Sequence, residues 1–504
     1  MLATAKILLR VFSCVPGGLL LLPLGFLLWK SFQISSELLI HVEKYLLWES
    51  LRNTILLLIS VLLLSSIWGT LLAWIISRFQ FVGRSFFRWA LLLPLALPAY
   101  VVSFVWLANF GQSMPLMQLS LILSFCLFPY IYLIVLESFE RIDQNHLEVA
   151  SSLGVTRADV IRRIYRPMLL PALMAGISLV GMETLADFGS VSVFNFSVFT
   201  TLVYRSWFSL QSLETAAFLA MLHILLLLVF VFMTSLTSKG RLVDKNSGAP
   251  RRALLKKCST FQSLGMGLFV FSIWSIAFLF PLFQLVQWGV KDLGAFVDAR
   301  LLERISNSLI IAAAAAVVTL LFAMILTLAQ RYSKTSFQNY VSRLSVIGYG
   351  IPGTVIAVGW MVSLAVAFGS FHHLPYVALL ALTLGLATRF LSLAQRPLMT
   401  SSERISWTIE ESARSLGAST GRVLLKIHKP LLARAAGIGF LFVFIDTLKE
   451  MPMTLLMRPY GWDTLSVRVY QFTSDGMWEE AAAPSLVLVA VSLVPLWFLR
   501  KRMQ

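Results

Sequence analysis

Long runs of apolar residues separated by short polar segments dominate the chain from end to end. A helix needs about 20 apolar residues to cross the hydrocarbon core of a bilayer. Twelve stretches come close to that length: 15–33, 54–77, 86–109, 117–136, 168–187, 216–236, 264–289, 307–329, 344–368, 375–395, 431–449 and 482–499. They are continuous rather than alternating over ten positions, which excludes a transmembrane β-barrel. The pattern predicts an all-α polytopic membrane protein with about twelve transmembrane helices. Of the 504 residues, 58% are hydrophobic and 13% charged, where a soluble domain carries roughly a quarter charged residues. Soluble, disordered, collagen-like and coiled-coil classes are thereby excluded.

Charge then orients the spans. The 41 Lys and Arg against 24 Asp and Glu leave a net charge of +17. The basic residues lie in short runs between spans, a loop bias rather than a nucleic-acid footprint. Segment 237–263 holds Lys239, Arg241, Lys245, Arg251, Arg252, Lys256 and Lys257 against Asp244, and 78–88 holds Arg78, Arg84 and Arg88. Segments 110–116 and 369–374 hold no Lys or Arg. The bias of cytoplasmic loops toward Lys and Arg therefore places both termini in the cytoplasm. The first apolar stretch is long and no small-x-small site follows it, so it reads as an uncleaved anchor. Cys14, Cys126 and Cys258 form no disulfide framework or metal spacing and read as inert thiols.

Self-comparison reveals a repeat. Glu148, Ala150, Gly154, Ile164 and Pro167 recur as Glu411, Ala413, Gly417, Ile427 and Pro430, every pair 263 residues apart. The same offset relates Glu140-Arg141-Ile142 to Glu403-Arg404-Ile405, Thr184-Leu185 to Thr447-Leu448, and Arg205 to Arg468. Earlier in each half the offset is 254, relating Asn53 to Asn307 and Pro98 to Pro352. A chain of matches at constant offset indicates duplication. Six spans per half give the halves the same orientation, a parallel repeat about an axis along the membrane normal. The reading is a first transmembrane domain over 1–240, a cytoplasmic linker over 241–263 and a second transmembrane domain over 264–504.

The duplicated motif falls in the loop between the fourth and fifth spans of each half. A short helix is predicted over Asp143–Leu153, with Leu147, Ala150 and Leu153 on one face, ending at Gly154. A second helix runs through 158–164 and is expected to break at Pro167. The second half repeats this with Ile409, Ala413, Leu416, Gly417, Val423 and Pro430. A short helix held sideways below the membrane is built to dock in a groove. Two copies about a pseudo-twofold axis call for a partner that is itself a dimer.

The spacing Glu-x-Ala, glycine six after the Glu, isoleucine ten later and proline three after that resembles the signature of binding-protein-dependent ABC importer permeases. Val149 and Ser412 stand where that family usually has alanine, and Arg166 and Lys429 where it usually has leucine. The resemblance implies the type I importer permease fold. It makes Glu148, Ala150, Gly154 and Pro167, with Glu411, Ala413, Gly417 and Pro430, the residues that couple the chain to a cytoplasmic ATPase dimer. The chain has no G-x-x-x-x-G-K-[ST] phosphate cradle. The resemblance thus implies no cofactor on this chain, with ATP and Mg on the partner ATPase and hydrolysis there rather than here.

At the other end of the spans, ionisable residues are costly and become candidates for a substrate path or gate. Glu183 and Asp187 close the fifth span and Asp446, Lys449 and Glu450 the eleventh; Asp446 and Lys449 also have the spacing of a simple pair on one helix face. The long outer loops 188–215 and 450–481 add Arg205 and Arg468 with Tyr204, Trp207, Phe208, Arg458, Tyr460, Trp462, Asp463 and Tyr470. They suit the docking of a periplasmic substrate-binding protein, or equally an interfacial aromatic belt. The six histidines are scattered, with His372-His373 a loop pair.

Leu185-Ala186-Asp187-Phe188-Gly189, Phe199-Thr200-Thr201, Lys449-Glu450-Met451-Pro452, Leu456-Met457-Arg458-Pro459-Tyr460 and 463–470 resemble the ferric-iron permease branch. The fused two-domain length resembles that branch and the thiamine branch. The sequence itself shows no iron ligand set. The leading expectation is a permease moving ferric iron; a permease for thiamine or another small solute and an ion-driven secondary transporter are the alternatives. An enzyme is disfavoured, since no nucleophile or metal cluster is duplicated.

Overall fold

The computed structural model describes residues 2–142, 152–153, 155–237, 255–333, 340, 344–345, 347–369 and 375–503. Among the described residues the structure is helical apart from Phe79–Gln80 and Lys256–Lys257, which pair in parallel over two residues. Eight helices are long and apolar enough to cross a membrane: Val11–Ser31, Ser36–Arg78, Pro115–Glu140, Ala158–Ala186, Leu213–Leu236, Thr260–Lys291, Ala299–Tyr332 and Thr420–Lys449. Two bent pairs add Arg84–Ala96 with Ala99–Phe110, turning by 86°, and Pro375–Arg389 with Leu391–Glu403, turning by 48°. The shorter apolar helices Gly353–Phe368 and Ala482–Val494 occupy the remaining predicted positions.

The sharpest bend has a local cause. Pro98 has an extended backbone (φ −58°, ψ 136°) and the helix restarts at Ala99. The proline ring disfavours helical geometry in the residue before it, and Leu97 is accordingly extended (ψ 119°). Its repeat partner Pro352 does the same ahead of Gly353–Phe368 (φ −57°, ψ 143°).

The chain forms two compact units, each drawing on both sequence halves. One comprises Met1–Leu46, Phe199–Ile224 and Leu293–Asp475; the other comprises Leu47–Val198, Leu225–Asp292 and Gly476–Gln504. The opening helix Leu2–Ser31 thus belongs with the core of the second repeat, where Gly359 lets Pro23 approach so closely that a Cβ would lie 2.9 Å from it. Thr260–Lys291 belongs with the core of the first repeat, where Trp288 stacks on fully buried Phe104 at 6.1 Å.

Each unit is built on three packed helices with small residues at the crossing. In the first repeat, Cβ atoms on Gly69 and Gly176 would lie 2.8 and 2.9 Å from the Ile131 side chain, so two glycines clasp one isoleucine. In the second repeat the same positions are Ala323, Gly439 and Ala394, and a Cβ on Gly439 would lie 2.9 Å from Ala394 Cα. Close backbone approach of this kind drives helix association where lipid removes the hydrophobic advantage.

Candidate functional site

The second copy of the duplicated loop is described in full. Its helix Trp407–Ser415 starts at Ser406, whose side chain accepts from Thr408 N at 3.2 Å. It ends where Gly417 takes φ +80°, a left-handed geometry that glycine adopts without Cβ strain. The Gly417 and Ala418 amides then donate to the Arg414 and Ala413 carbonyls at 2.9 and 3.0 Å. In the first copy, Glu148, Ala150 and Gly154 lie outside the described residues, as does the pair His372-His373.

The expected break at Pro167 and Pro430 is corrected by the structure. Helix continues through both, over Ala158–Ala186 and Thr420–Lys449. A π-helical turn precedes each proline, Ile161–Tyr165 and Leu424–His428, and the Arg166 and Lys429 amides reach back five residues to Ile161 and Leu424. The wider turn accommodates a residue with no N–H to give, so the helix need not stop.

The loop presents an apolar tip. Leu416 is 88% exposed and its repeat partner Leu153 is 75% exposed. Glu411 and Gly417 are exposed, and no atom lies within 4 Å of where a Gly417 Cβ would stand. The sequence pattern grouped Leu153 with Leu147 and Ala150 on one helix face, and Leu416 with Ile409 and Ala413; the structure leaves both leucines exposed.

The described copy is held to its unit by a residue that the sequence reading passed over. Glu410, next to the motif glutamate, is fully buried. It accepts from Arg331 Nε at 2.7 Å, Tyr332 OH at 2.9 Å, His428 Nε2 at 3.1 Å and Arg414 Nη2 at 3.4 Å. Arg331 also donates to the Ser402 and Ile405 carbonyls at 2.5 and 2.8 Å, and its guanidinium lies 4.4 Å from the Trp407 ring centre. Burial disfavours the Glu410 charge, but the Tyr332 and Arg331 hydrogen bonds and the Arg331 charge outweigh it and hold the carboxyl below its ordinary value. The one local hint was Arg414, four residues along the same helix face.

At the far ends of the fifth and eleventh spans, the two matched acids do the same structural work. Asp187 accepts from Ser190 Oγ at 3.0 Å and Val191 N at 3.3 Å, capping Gly189–Val193. Glu450 accepts from Met453 N at 3.0 Å and Thr454 N at 3.1 Å, capping Pro452–Met457. Glu450 also takes a 2.6 Å ion pair from buried Arg389, and Gly353 abuts both, so that a Cβ there would collide with the pair. Glu183, Asp446 and Lys449 are half-buried on the spans themselves. Arg205 and Arg468 occupy matching helices, Phe199–Phe208 and Leu465–Ser474, and the Arg468 guanidinium lies 3.8 Å from the Phe472 ring centre. Among the described residues, no three His, Cys, Asp or Glu side chains converge as a metal site.

The repeated asparagines tether the loops beyond these spans. Asn53 donates to the Ser197 carbonyl at 3.0 Å, and Asn307 to the Gly461 and Asp463 carbonyls at 3.2 and 3.3 Å.

Residues 65–238 match the family described as the inner membrane component of binding-protein-dependent transport systems. Over 468 residues the chain is 29% identical to the Fe(3+)-transport system permease protein FbpB 2 of Haemophilus influenzae, covering 90% of each chain. It is 28% identical over 205 residues to the sulfate transport system permease protein CysT of Escherichia coli, covering 36% of this chain and 70% of that one. The family match over 65–238, the duplicated loop at that family's spacing and the similarity along 90% of a ferric permease support an inner-membrane permease of the binding-protein-dependent ABC importer type.

Proposed function

We propose that this permease moves ferric iron inward, taking it from a periplasmic binding protein and drawing force from a cytoplasmic ATPase dimer that holds ATP and Mg. The observation that carries the coupling is the exposed leucine at equivalent tips of both loops, Leu153 and Leu416. An apolar side chain presented at a helix end beside a glycine bend is a knob for a partner's groove. In this reading both termini and both loops face the cytoplasm, 1–240 and 264–504 act as two transmembrane domains and 241–263 links them. Closure of the ATPase dimer pushes Glu148–Pro167 and Glu411–Pro430 together, and the push travels into the fifth and eleventh spans. Glu183, Asp187, Arg205, Asp446, Lys449, Glu450 and Arg468 then border the path or its gate.

Similarity along nearly the whole chain to a ferric permease supports iron over sulfate, for which the similarity covers about a third of the chain. The test is uptake in proteoliposomes holding the permease, its ATPase and a candidate binding protein. Iron uptake that needs both ATP and the ferric binding protein is the expected result. Iron uptake driven by an ion gradient without any ATPase refutes the reading.

A further inference from the structure

Within the unit that contains Leu293–Asp475, one helix, Ala299–Ser333, reaches both the loop with the duplicated motif and the loop at the opposite end of the spans. At its last turn Arg331 and Tyr332 donate to Glu410 of the motif helix. Toward its start Asn307 donates to the Gly461 and Asp463 carbonyls, and Ser308 Oγ accepts from Leu465 N at 2.8 Å. The loop held there is itself stitched: Arg458 pairs with Asp463 at 2.6 Å, and Ser466 Oγ donates to the Glu450 carbonyl at 3.0 Å. From Asn307 to Arg331 the helix rises about 36 Å, enough to cross a hydrocarbon core roughly 30 Å thick.

Two routes leave the motif loop, and they differ in stiffness. Ala299–Ser333 is 35 residues of unbroken α-helix with neither glycine nor proline. Ala312, Ala315, Ala316 and Ala323 are fully buried along it, so its neighbours pack close to its backbone. The other route is the span that follows the loop, Thr420–Lys449. It contains the π-helical turn Leu424–His428, then Pro430, Gly437 and Gly439, the features at which helices bend. Glu410 touches both routes, through His428 on the bending one and through Arg331 and Tyr332 on the stiff one. Hydrogen-bond networks joined by a rigid element are a physical means of coupling distant sites.

We propose that Ala299–Ser333 is a connecting rod that carries displacement of the motif loop to loop 458–465 at the opposite end. Glu410 and Arg331 are the positioning residues of one joint, Asn307 and Ser308 those of the other. The proposal rests on the coupling reading above, in which an ATPase pushes the motif loop; loop 458–465 then moves with the same stroke on the side where cargo is delivered. The first repeat keeps Asn53 on the Ser197 carbonyl at 3.0 Å, but has Leu147 at the place of Glu410 and Gly69 inside Trp48–Arg78. Its loop 194–198 is therefore an internal control.

Hydrogen exchange read by mass spectrometry on the full chain in lipid nanodiscs, with no ATPase and no iron, tests the connection apart from transport. Glu410→Leu should speed exchange in 458–468 about fivefold or more, the lower end of ordinary coupling between sites. Linkage is reciprocal, so Asn307→Ala should speed exchange in 406–418 by a similar factor. Exchange in 194–198 should stay unchanged in both variants. Effects confined to the substituted end overturn the proposal, and so does an equal rise in 194–198, which marks general loosening. Should Glu410→Leu fail to fold, the Asn307→Ala result decides. Failure of the transport reading shows elsewhere, as iron uptake without an ATPase, and does not alter these rates.

Discussion

In the second repeat Glu450, Arg389 and Gly353 form a buried ion pair seated on a residue without a side chain. In the first repeat the corresponding positions are Asp187, Cys126 and Ala99. Both acids cap the short helix that follows them. At the second of these positions the second repeat carries a cation, Arg389, where the first carries Cys126, and at the third it carries Gly353 where the first carries Ala99. Cys126 lies within electrostatic reach of Asp187, so the pairing of positions survives while its chemistry has changed. The loops diverge in the same sense. Glu410 gathers Arg331, Tyr332, His428 and Arg414, while the first repeat carries Leu147 and Tyr165 at the places of Glu410 and His428. Duplication preserved the helix scaffold and the capping, while the residue types at these matched positions changed.

Turning one repeat into the other tests that contrast. The largest effect is expected from Arg389→Cys, which leaves Glu450 buried without its cation. Breaking one partner of a buried pair costs roughly 3–5 kcal/mol, read as a fall in the melting temperature of the purified permease. Adding Glu450→Asp and Gly353→Ala rebuilds the first repeat's trio and should recover much of the loss, because neighbouring substitutions are not additive. Equal melting of the single and triple variants would dismiss the coupling between these positions.

Glu410→Leu comes next. It copies the first repeat into the second and strands several buried donors at roughly 1–3 kcal/mol each. Its main readout is ATP hydrolysis that continues while uptake falls, since the loop loses its anchor. The pH sign follows from a carboxyl held below its ordinary value of 4.5. Its stabilising contribution is fully present above that pH and is lost as pH falls through the lowered folded value. The acid limb of the wild-type stability profile should therefore flatten in Glu410→Leu, as a melting series across acidic pH will reveal.

The smallest effect on stability, about 1–2 kcal/mol, belongs to Gly417→Val, which forces a β-branched residue into left-handed geometry at an exposed tip. Under the proposed coupling its effect on uptake should exceed its effect on melting, because the tip is exposed rather than part of the core. Uptake that falls only in step with melting would remove Gly417 from the coupling surface.

Much of this molecule was legible before any coordinates. Hydrophobic run length alone determined the membrane class and the twelve apolar segments, because a bilayer core demands a helix of known length wherever it is crossed. The constant offsets of 263 and 254 exposed the duplication and located its loops. Tertiary structure decided the rest. Glu410 meets Arg331 from 79 residues away and Glu450 meets Arg389 from 61, and a helical period says which face a residue occupies but not what that face will touch. The same gap hid the assignment of Leu2–Ser31 to the unit of the second repeat, since every apolar span presents a similar surface and only small-residue fits such as Pro23 on Gly359 choose between partners.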